Sequence, residues 1–565
     1  MRRQTIVAGG ILALALLTRL VGVTHHLPTD ENKLVGPAAG LRVRDTDRPL
    51  APSGARYPHL GYYLHGGIFS VVGQIVPKDA WDPTTVARIT TVIIGVLTVA
   101  LTIWLGRHIG GWALGLLGGL FAAVSPLAVK YAHYAHVDPL AAFFMLATVA
   151  AAFLLWEKGT RRWYVTTGVL TGLAAASQYY GIMVGIALVF AHAGWALRQS
   201  HWWRTLLRPA FIVGLFMIPL TFALTNPWKL IERQEARAIY HGLSLRAAGG
   251  DLGYTSSDLL WPLLTQSPDW GLSFTVSGFV WEMPLAVFLL AVGGVIVAAW
   301  RRDYRAVVLL GGVLFVLYIV MAAYVRMHAV KRFLPLTPLL ALAAAYGVVY
   351  APALLPRARA VARGTAIGLA LVGVGGALWN VGAFDRAYAG EATLPTAVAW
   401  AEEHIPSGAT VLQHGPLVFL NPRSTRHTVL LLREEYANIG GRDDRRIADH
   451  RAKPLAEWLN QGVDYIVLDS RLVDRYYEST SMRLYPEMTA SYRAFYDEVR
   501  SRGARVFFIE PQPWKSCGGQ RRRARVGNKI SGSDAHRTTA RSGGALSGAS
   551  QDNGDDGGNM YSERL

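Results

Sequence analysis

Apolar positions run along this chain in long blocks separated by short polar connectors. The blocks lie near residues 6–23, 86–106, 112–129, 139–156, 163–178, 180–197, 209–226, 275–299, 306–324, 333–351 and 364–381. A hydrocarbon core of ~30 Å takes about 20 apolar residues in helical form, and only helices or closed barrels satisfy every backbone polar group inside it. The pattern therefore predicts an α-helical polytopic membrane protein with about 11 transmembrane helices, occupying residues 1–381.

The connectors alternate in charge. With Arg2 and Arg3 taken as cytoplasmic, the loops on their side hold Arg107; Lys158, Arg161 and Arg162; Arg198, Arg204 and Arg208; Arg301, Arg302 and Arg305; and Arg357, Arg359 and Arg363. Each is basic, as the positive-inside rule expects of cytoplasmic loops. The expected topology is a plasma-membrane protein with a cytoplasmic N-terminus. Its long connectors 24–85 and 227–274, short connectors near 130–138 and 325–332, and everything after 382 then face outside. The first block follows two arginines as a secretory signal would, but no small-residue cleavage site follows it, so it reads as a retained helix. Leu60 to Val76, interrupted by Tyr62, Tyr63 and His65, is too short and polar to span and is expected to lie along the membrane surface.

Beyond residue 392 the period changes. Thr396 to His404 reads as an amphipathic helix, Pro406-Ser407-Gly408 as a turn, and Thr410 to Gln413 and Tyr465 to Leu468 as strands. Residues 382–513 are thus expected to form a small extracytoplasmic α/β domain. The Gly-, Ser-, Arg- and Asp-rich segment 514–565 has too few large apolar residues to bury a core and is expected to be a disordered tail.

Composition changes this picture in one respect. A net charge of +18 would suit a nucleic-acid binder, but much of the Lys and Arg sits in the short loops where membrane topology explains it, so no nucleic-acid partner is expected. The single cysteine, Cys517, excludes an intrachain disulfide.

Three clusters could carry chemistry. Asp30-Glu31 follows the first span at the outer surface, where a carboxylate would meet a lipid headgroup. Ser125-Pro126 through Asp138 places Lys130, His133, His136 and Asp138 between two helices, and polar groups at the rim of a bundle cost free energy unless paired or used. His133 and His136 have i, i+3 spacing but no clear third metal ligand, so phosphate binding or pairing with Asp138 is the better reading. Arg326 to Arg332, including His328 and Lys331, is basic on the side where the positive-inside rule expects no excess; anion binding would explain it, as would pairing with acids of the C-terminal domain. Asp45-Thr46-Asp47 has the spacing of a metal-binding Asp-x-Asp but lacks the nucleotide fold that gives it meaning.

The order of these features resembles the polyprenyl-phosphate-sugar-dependent membrane glycosyltransferases of the GT-C fold, in particular the family-39 group with the protein O-mannosyltransferases and aminoarabinose transferases. The resemblance runs through Asp30-Glu31, Tyr57-Pro58-His59-Leu60-Gly61-Tyr62-Tyr63-Leu64, Arg88, Ser125-Pro126 to Asp138, Gly172 to Tyr179, Asn226-Pro227-Trp228 and Arg332-Phe333-Leu334-Pro335. It implies an inverting transferase that moves a hexose or pentose from a polyprenyl-phosphate carrier to an external hydroxyl of a protein, lipid or polysaccharide. Asp30 would be the catalytic base with Glu31 beside it, and Asp138 the second acid. His59, Lys130, His133, His136, Gln178, Tyr179, Lys331 and Arg332 would bind substrate. No cofactor is required by the resemblance, although a divalent cation is compatible with it. Two departures stand out: Gln178 replaces a common Lys, and His133 and His136 stand where Arg is frequent. A transporter or flippase, or a related lipid-linked-sugar ligase or polymerase, remains the alternative; against these, the chain shows no internal repeat and no Trp-Trp-Asp motif.

Overall fold

The computed structural model describes residues 2–24, 31–41, 50–52, 57–231, 285–324, 330–354, 356–389, 393–414, 426–432, 451–469, 473–477, 486–509 and 560–564. Each expected apolar block contains a helix. Among the described residues, eight helices are long and apolar enough to cross a membrane alone, and one bent pair counted as a single span makes a ninth. Arg161–Ser177 and Leu285–Trp300, with 17 and 16 residues, fall just short of that length.

The first helices place the site. They are α1 (Arg2–Leu20), α2 (Asn32–Ala39), α3 (Leu60–Ile75), α4 (Pro83–Gly110), α5 (Trp112–Ala123), α6 (Pro126–Ala132), α7 (Asp138–Lys158), α8 (Arg161–Ser177) and α9 (Ile186–Ala196). The start of α4 is set locally: Asp82 accepts the Thr85 N–H at 2.8 Å, and Pro83 occupies the first turn, where its missing donor costs nothing. Without a hydrophobic drive between helices in lipid, close approach depends on small residues. Gly168 of α8 faces Gly214 so tightly that a Cβ on Gly168 would lie 2.1 Å from the Gly214 carbonyl oxygen.

Between α5 and α6 the chain bends by 57° ahead of Pro126, which cannot donate to the preceding turn. The freed carbonyls are met by Arg19, buried at the end of α1, whose guanidinium donates to Ala123 O at 2.8 Å and Ala122 O at 3.2 Å. A cation thus caps the negative end of α5. The bend sets the direction of α6 and of the residues 133–138 that follow it.

Helix α3 forms as expected and buries Tyr62, His65 and Phe69 against its neighbours. The last long helix, Arg359–Ala389, runs past the expected end of the transmembrane region at 381. Its extra turns pack Phe384 edge-on against His133, with ring centroids 5.3 Å apart, and bring Asp385 within 3.8 Å of the His133 ring.

The C-terminal region contains a five-stranded sheet in the order β2-β1-β3-β5-β4, from β1 (Thr410–His414), β2 (Thr428–Leu432), β3 (Tyr465–Asp469), β4 (Ala504–Ile509) and β5 (Met560–Arg564). Strand β1 is parallel to β2 and β3, while β5 is antiparallel to both its neighbours. Alternation sorts the core: Val411, Tyr465 and Val467 face the Thr393–His404 helix, and Leu412, Ile466 and Leu468 face the other way toward Tyr492 and Tyr496. The expectation of a disordered tail over 514–565 is corrected at its end. Met560–Arg564 is a strand inside the sheet, because ladder pairing on both edges satisfies the backbone whatever the side chains are. Residues 514–559 lie outside the described residues.

Candidate active site

Asp30 lies outside the described residues, as do Arg326, Met327, His328 and the Asp45-Thr46-Asp47 stretch. Glu31 is buried and forms a two-point ion pair with Arg88 of α4, Nε to Oε1 at 2.7 Å and Nη2 to Oε2 at 2.6 Å. Glu31 Oε1 also accepts the Ala135 N–H at 2.9 Å, and Arg88 donates to Val23 O at 3.1 Å. Both flanks of the segment carrying Asp30 are thereby tied to α4. Glu31 itself is a clamp rather than a group held open for substrate.

Asp138 opens α7, where the helix dipole favours a carboxylate, and is almost fully buried. Its Oδ1 accepts the Tyr180 hydroxyl at 2.5 Å, and its Oδ2 is in contact with His136 Nδ1. The other ring nitrogen of His136 meets the Tyr57 hydroxyl at 3.2 Å. Lys331 interacts electrostatically with Asp138, and Arg332 with Tyr180. Residues from the first loop, α7, the 179–185 turn and the 330–333 turn therefore converge at one end of the bundle.

The remaining expected site residues divide. His133 diverges from His136: its Nδ1 faces Val129 O at 2.8 Å and its Nε2 faces Val21 O at 2.7 Å, so it staples α6 to the end of α1. Lys130 is buried with its ammonium 5.6 Å from the Tyr131 ring. The Gln178 side chain turns back to accept the Tyr179 N–H at 3.2 Å, which caps the following turn. His59 is held through its backbone N–H by Asn226 Oδ1 at 2.6 Å, with its Nδ1 3.4 Å from the Tyr63 hydroxyl. Among the described residues no three metal-ligating side chains come together.

Two residues of the cluster, Tyr57 and Tyr180, escape a reading of the sequence for charge. Tyr180 adjoins the expected Tyr179, and only the geometry of the turn decides which tyrosine faces Asp138. Tyr57 stands within the quoted first-loop motif, where nothing in the spacing sets it apart.

Residues 80–228 match the family model described as dolichyl-phosphate-mannose-protein mannosyltransferase. No curated protein matches the sequence. The chain superimposes on the archaeal oligosaccharyltransferase AglB from Archaeoglobus fulgidus, solved with an inhibitory peptide and a dolichol-phosphate, with a TM-score of 0.52 and 12% identity over 90% of this chain and 73% of that one. It also superimposes on ArnT from Cupriavidus metallidurans bound to undecaprenyl phosphate, with a TM-score of 0.52 and 13% identity over 86% of this chain and 94% of that one. The chain has the GT-C fold of membrane glycosyltransferases. In this GT-C protein the family-model match contains Arg88, His136, Asp138 and Tyr180, whereas Glu31, Tyr57, Lys331 and Arg332 reach the cluster from outside it.

Proposed function

We propose that this protein is an inverting glycosyltransferase that moves one sugar from a polyprenyl-phosphate carrier to an acceptor hydroxyl on the extracytoplasmic side of the membrane. The observation that carries the reading is the convergence of Asp138, His136 and Tyr180 with the cations Lys331 and Arg332 at one end of the bundle, beside the clamp that follows Asp30. The shared fold supports it, since AglB and ArnT were solved with polyprenyl phosphates bound. The basic loops at the opposite helix ends support the assigned side.

In this reaction the acceptor oxygen attacks the anomeric carbon, and the bond from that carbon to the phosphate oxygen breaks. The acceptor proton passes to the Asp30 carboxylate, and the departing lipid phosphate keeps the bond's electron pair. The negative charge that develops on the phosphate calls for nearby cations, the role of Lys331 and Arg332. Asp30 needs only to meet the acceptor proton in the transition state, and the residue that follows it, Glu31, is bound to Arg88.

The test is transfer of radiolabel from a panel of polyprenyl-phosphate sugars in membranes holding the wild type or Asp30→Asn. Labelled protein, lipid and polysaccharide fractions identify the acceptor. Labelling with at least one donor in the wild type, reduced at least 100-fold in Asp30→Asn at equal abundance, is the expected result on the scale of general-base catalysis. No label from any donor, or normal transfer by Asp30→Asn, overturns the reading.

A further inference from the structure

The connector between α9 and the next long helix, α11 (Pro209–Thr225), lies at the end of the bundle away from Asp138 and contains the short helix α10 (Trp202–Thr205). Helix α7 runs from Asp138 to Lys158, 21 residues or on the order of 30 Å, and Gly159 just past its end meets the connector. Arg208 donates through Nη1 to Gly159 O at 2.6 Å, and its guanidinium lies 4.6 Å from the centre of the Trp195 ring. Gly159 has a φ of +57°, and a Cβ there would fall 2.0 Å from Trp195 Nε1, so this close approach needs glycine.

A second tie holds the middle of the connector. The carbonyl of Leu206 can only accept, so His192 Nε2 donates to it at 3.1 Å, and His192 Nδ1 accepts the Tyr164 hydroxyl at 2.7 Å. Phe211 stacks on the same imidazole, 4.0 Å between ring centroids. The backbone is thus pinned at Leu206 and the chain again at Arg208. Even so, the connector turns its large side chains outward: Leu197, Trp202, Trp203 and Leu207 are exposed, as are Arg198 and Arg204. The Arg204 guanidinium lies over the Trp203 ring at 4.7 Å.

Apolar side chains held outward at fixed positions need an apolar covering. The neighbouring helix says what it is. Just beyond the connector α11 exposes Ile212, Leu215 and Phe216, as a helix facing lipid does, and the same lipid layer reaches the connector. Indoles beside guanidinium groups suit the headgroup layer, where a side chain meets apolar surroundings on one side and water on the other. Charge then selects among headgroups. Residues 195–210 include Arg198, Arg204 and Arg208 and no Asp or Glu, and Glu157 at the end of α7 is already in contact with Arg305 and His108.

We propose that residues 197–207 form a docking surface for anionic phospholipid, with Trp202, Trp203 and Leu207 in the apolar edge of the headgroup layer and Arg198 and Arg204 facing its phosphates. The surface is independent of the proposed reaction, whose residues gather at the other helix ends.

The experiment sets a fluorophore beside the surface. Full-length protein carrying Cys517→Ser, which removes the chain's single cysteine, and Ser200→Cys is labelled at exposed position 200, between Arg198 and Trp202. It is titrated in neutral detergent with phosphatidylglycerol or phosphatidylcholine bearing a quenching nitroxide near the headgroup. Quenching by phosphatidylglycerol should be half-complete at a concentration roughly fivefold or more below that for phosphatidylcholine, the scale of basic side chains near an anionic surface, and high salt should shrink the difference. Arg198→Gln with Arg204→Gln should remove most of the preference. Arg357→Gln, at an exposed arginine of the 356–358 turn, should leave it as it is. Equal quenching by the two lipids, a preference that survives the double substitution, or an equal loss in Arg357→Gln overturns the inference. Absence of quenching by either lipid overturns it as well, and leaves the exposed indoles as a surface for another protein. The proposed function stands in every case.

Discussion

Glu31 and Arg88 meet at two points, 2.7 and 2.6 Å apart, with both side chains buried and the Ala135 N–H bound to the same carboxylate. One acid of the adjacent pair Asp30-Glu31 is thereby spent on structure. Removing either partner strands a buried charge. Glu31→Ala or Arg88→Ala should each destabilise by about 3–5 kcal/mol, and the double variant by less than the sum. Thermal unfolding in detergent, read as a double-mutant cycle, checks this; strictly additive losses would show that the pair is not coupled.

Asp138 is held by Tyr180 on one oxygen and by His136 on the other. Asp138→Asn keeps the shape and removes the charge that faces His136 and Lys331, whereas Tyr180→Phe removes one hydrogen bond. Sugar transfer should fall about 100-fold in the first and at most about tenfold in the second. The ranking is read from initial rates at saturating donor; equal rates in Asp138→Asn and wild type would remove Asp138 from the site.

Lys331 and Arg332 lie in the short turn that brings two cations to the Asp138–Tyr180 pair. A charge-assisted hydrogen bond contributes about 1.5–3 kcal/mol, so Arg332→Ala should weaken polyprenyl-phosphate binding by roughly 10- to 100-fold and leave polyprenol binding unchanged. Arg332→Lys should recover part of the loss, because a point charge replaces the fork. An equal loss for phosphate and alcohol would mean that Arg332 supports the fold instead.

His65 of α3 donates through Nδ1 to Gly61 O at 2.8 Å, and burial lowers its pKa below the ordinary value. The unfolded chain then holds more protons than the folded one once the pH drops below an imidazole's usual ~6.5. The contribution of His65 to stability is present above that pH and is lost as the pH falls from there through the lowered folded value. His65→Gln should flatten this part of the profile. Unfolding midpoints of both proteins between about pH 7 and 5 make the comparison, and parallel curves would exclude the effect.

The apolar blocks of the sequence determined the helical membrane class and where its apolar helices lie, because bilayer thickness leaves few other ways to bury such blocks. The strands at 410 and 465 were legible for a similar local reason, since period-2 alternation needs no partner to be recognised. The strand at Met560–Arg564 was not, because it is made by pairing on both edges and its own composition reads as a tail.

Among the chemical residues, the sequence alone marked Glu31, His136, Asp138, Lys331 and Arg332, because charge near a membrane is conspicuous. Which partner each one takes was decided by the tertiary structure. Glu31 and Arg88 are 57 positions apart, and only the packing of α4 beside the first loop joins them. His133 and His136 look equivalent by spacing, yet one faces two carbonyls and the other a carboxylate and a phenol. The bend ahead of Pro126 turns the segment that carries them, and the end of the Arg359–Ala389 helix, contributing Phe384 and Asp385, claims the first. Charge can be counted along a chain, but the direction in which a side chain points is set by the helices that close around it.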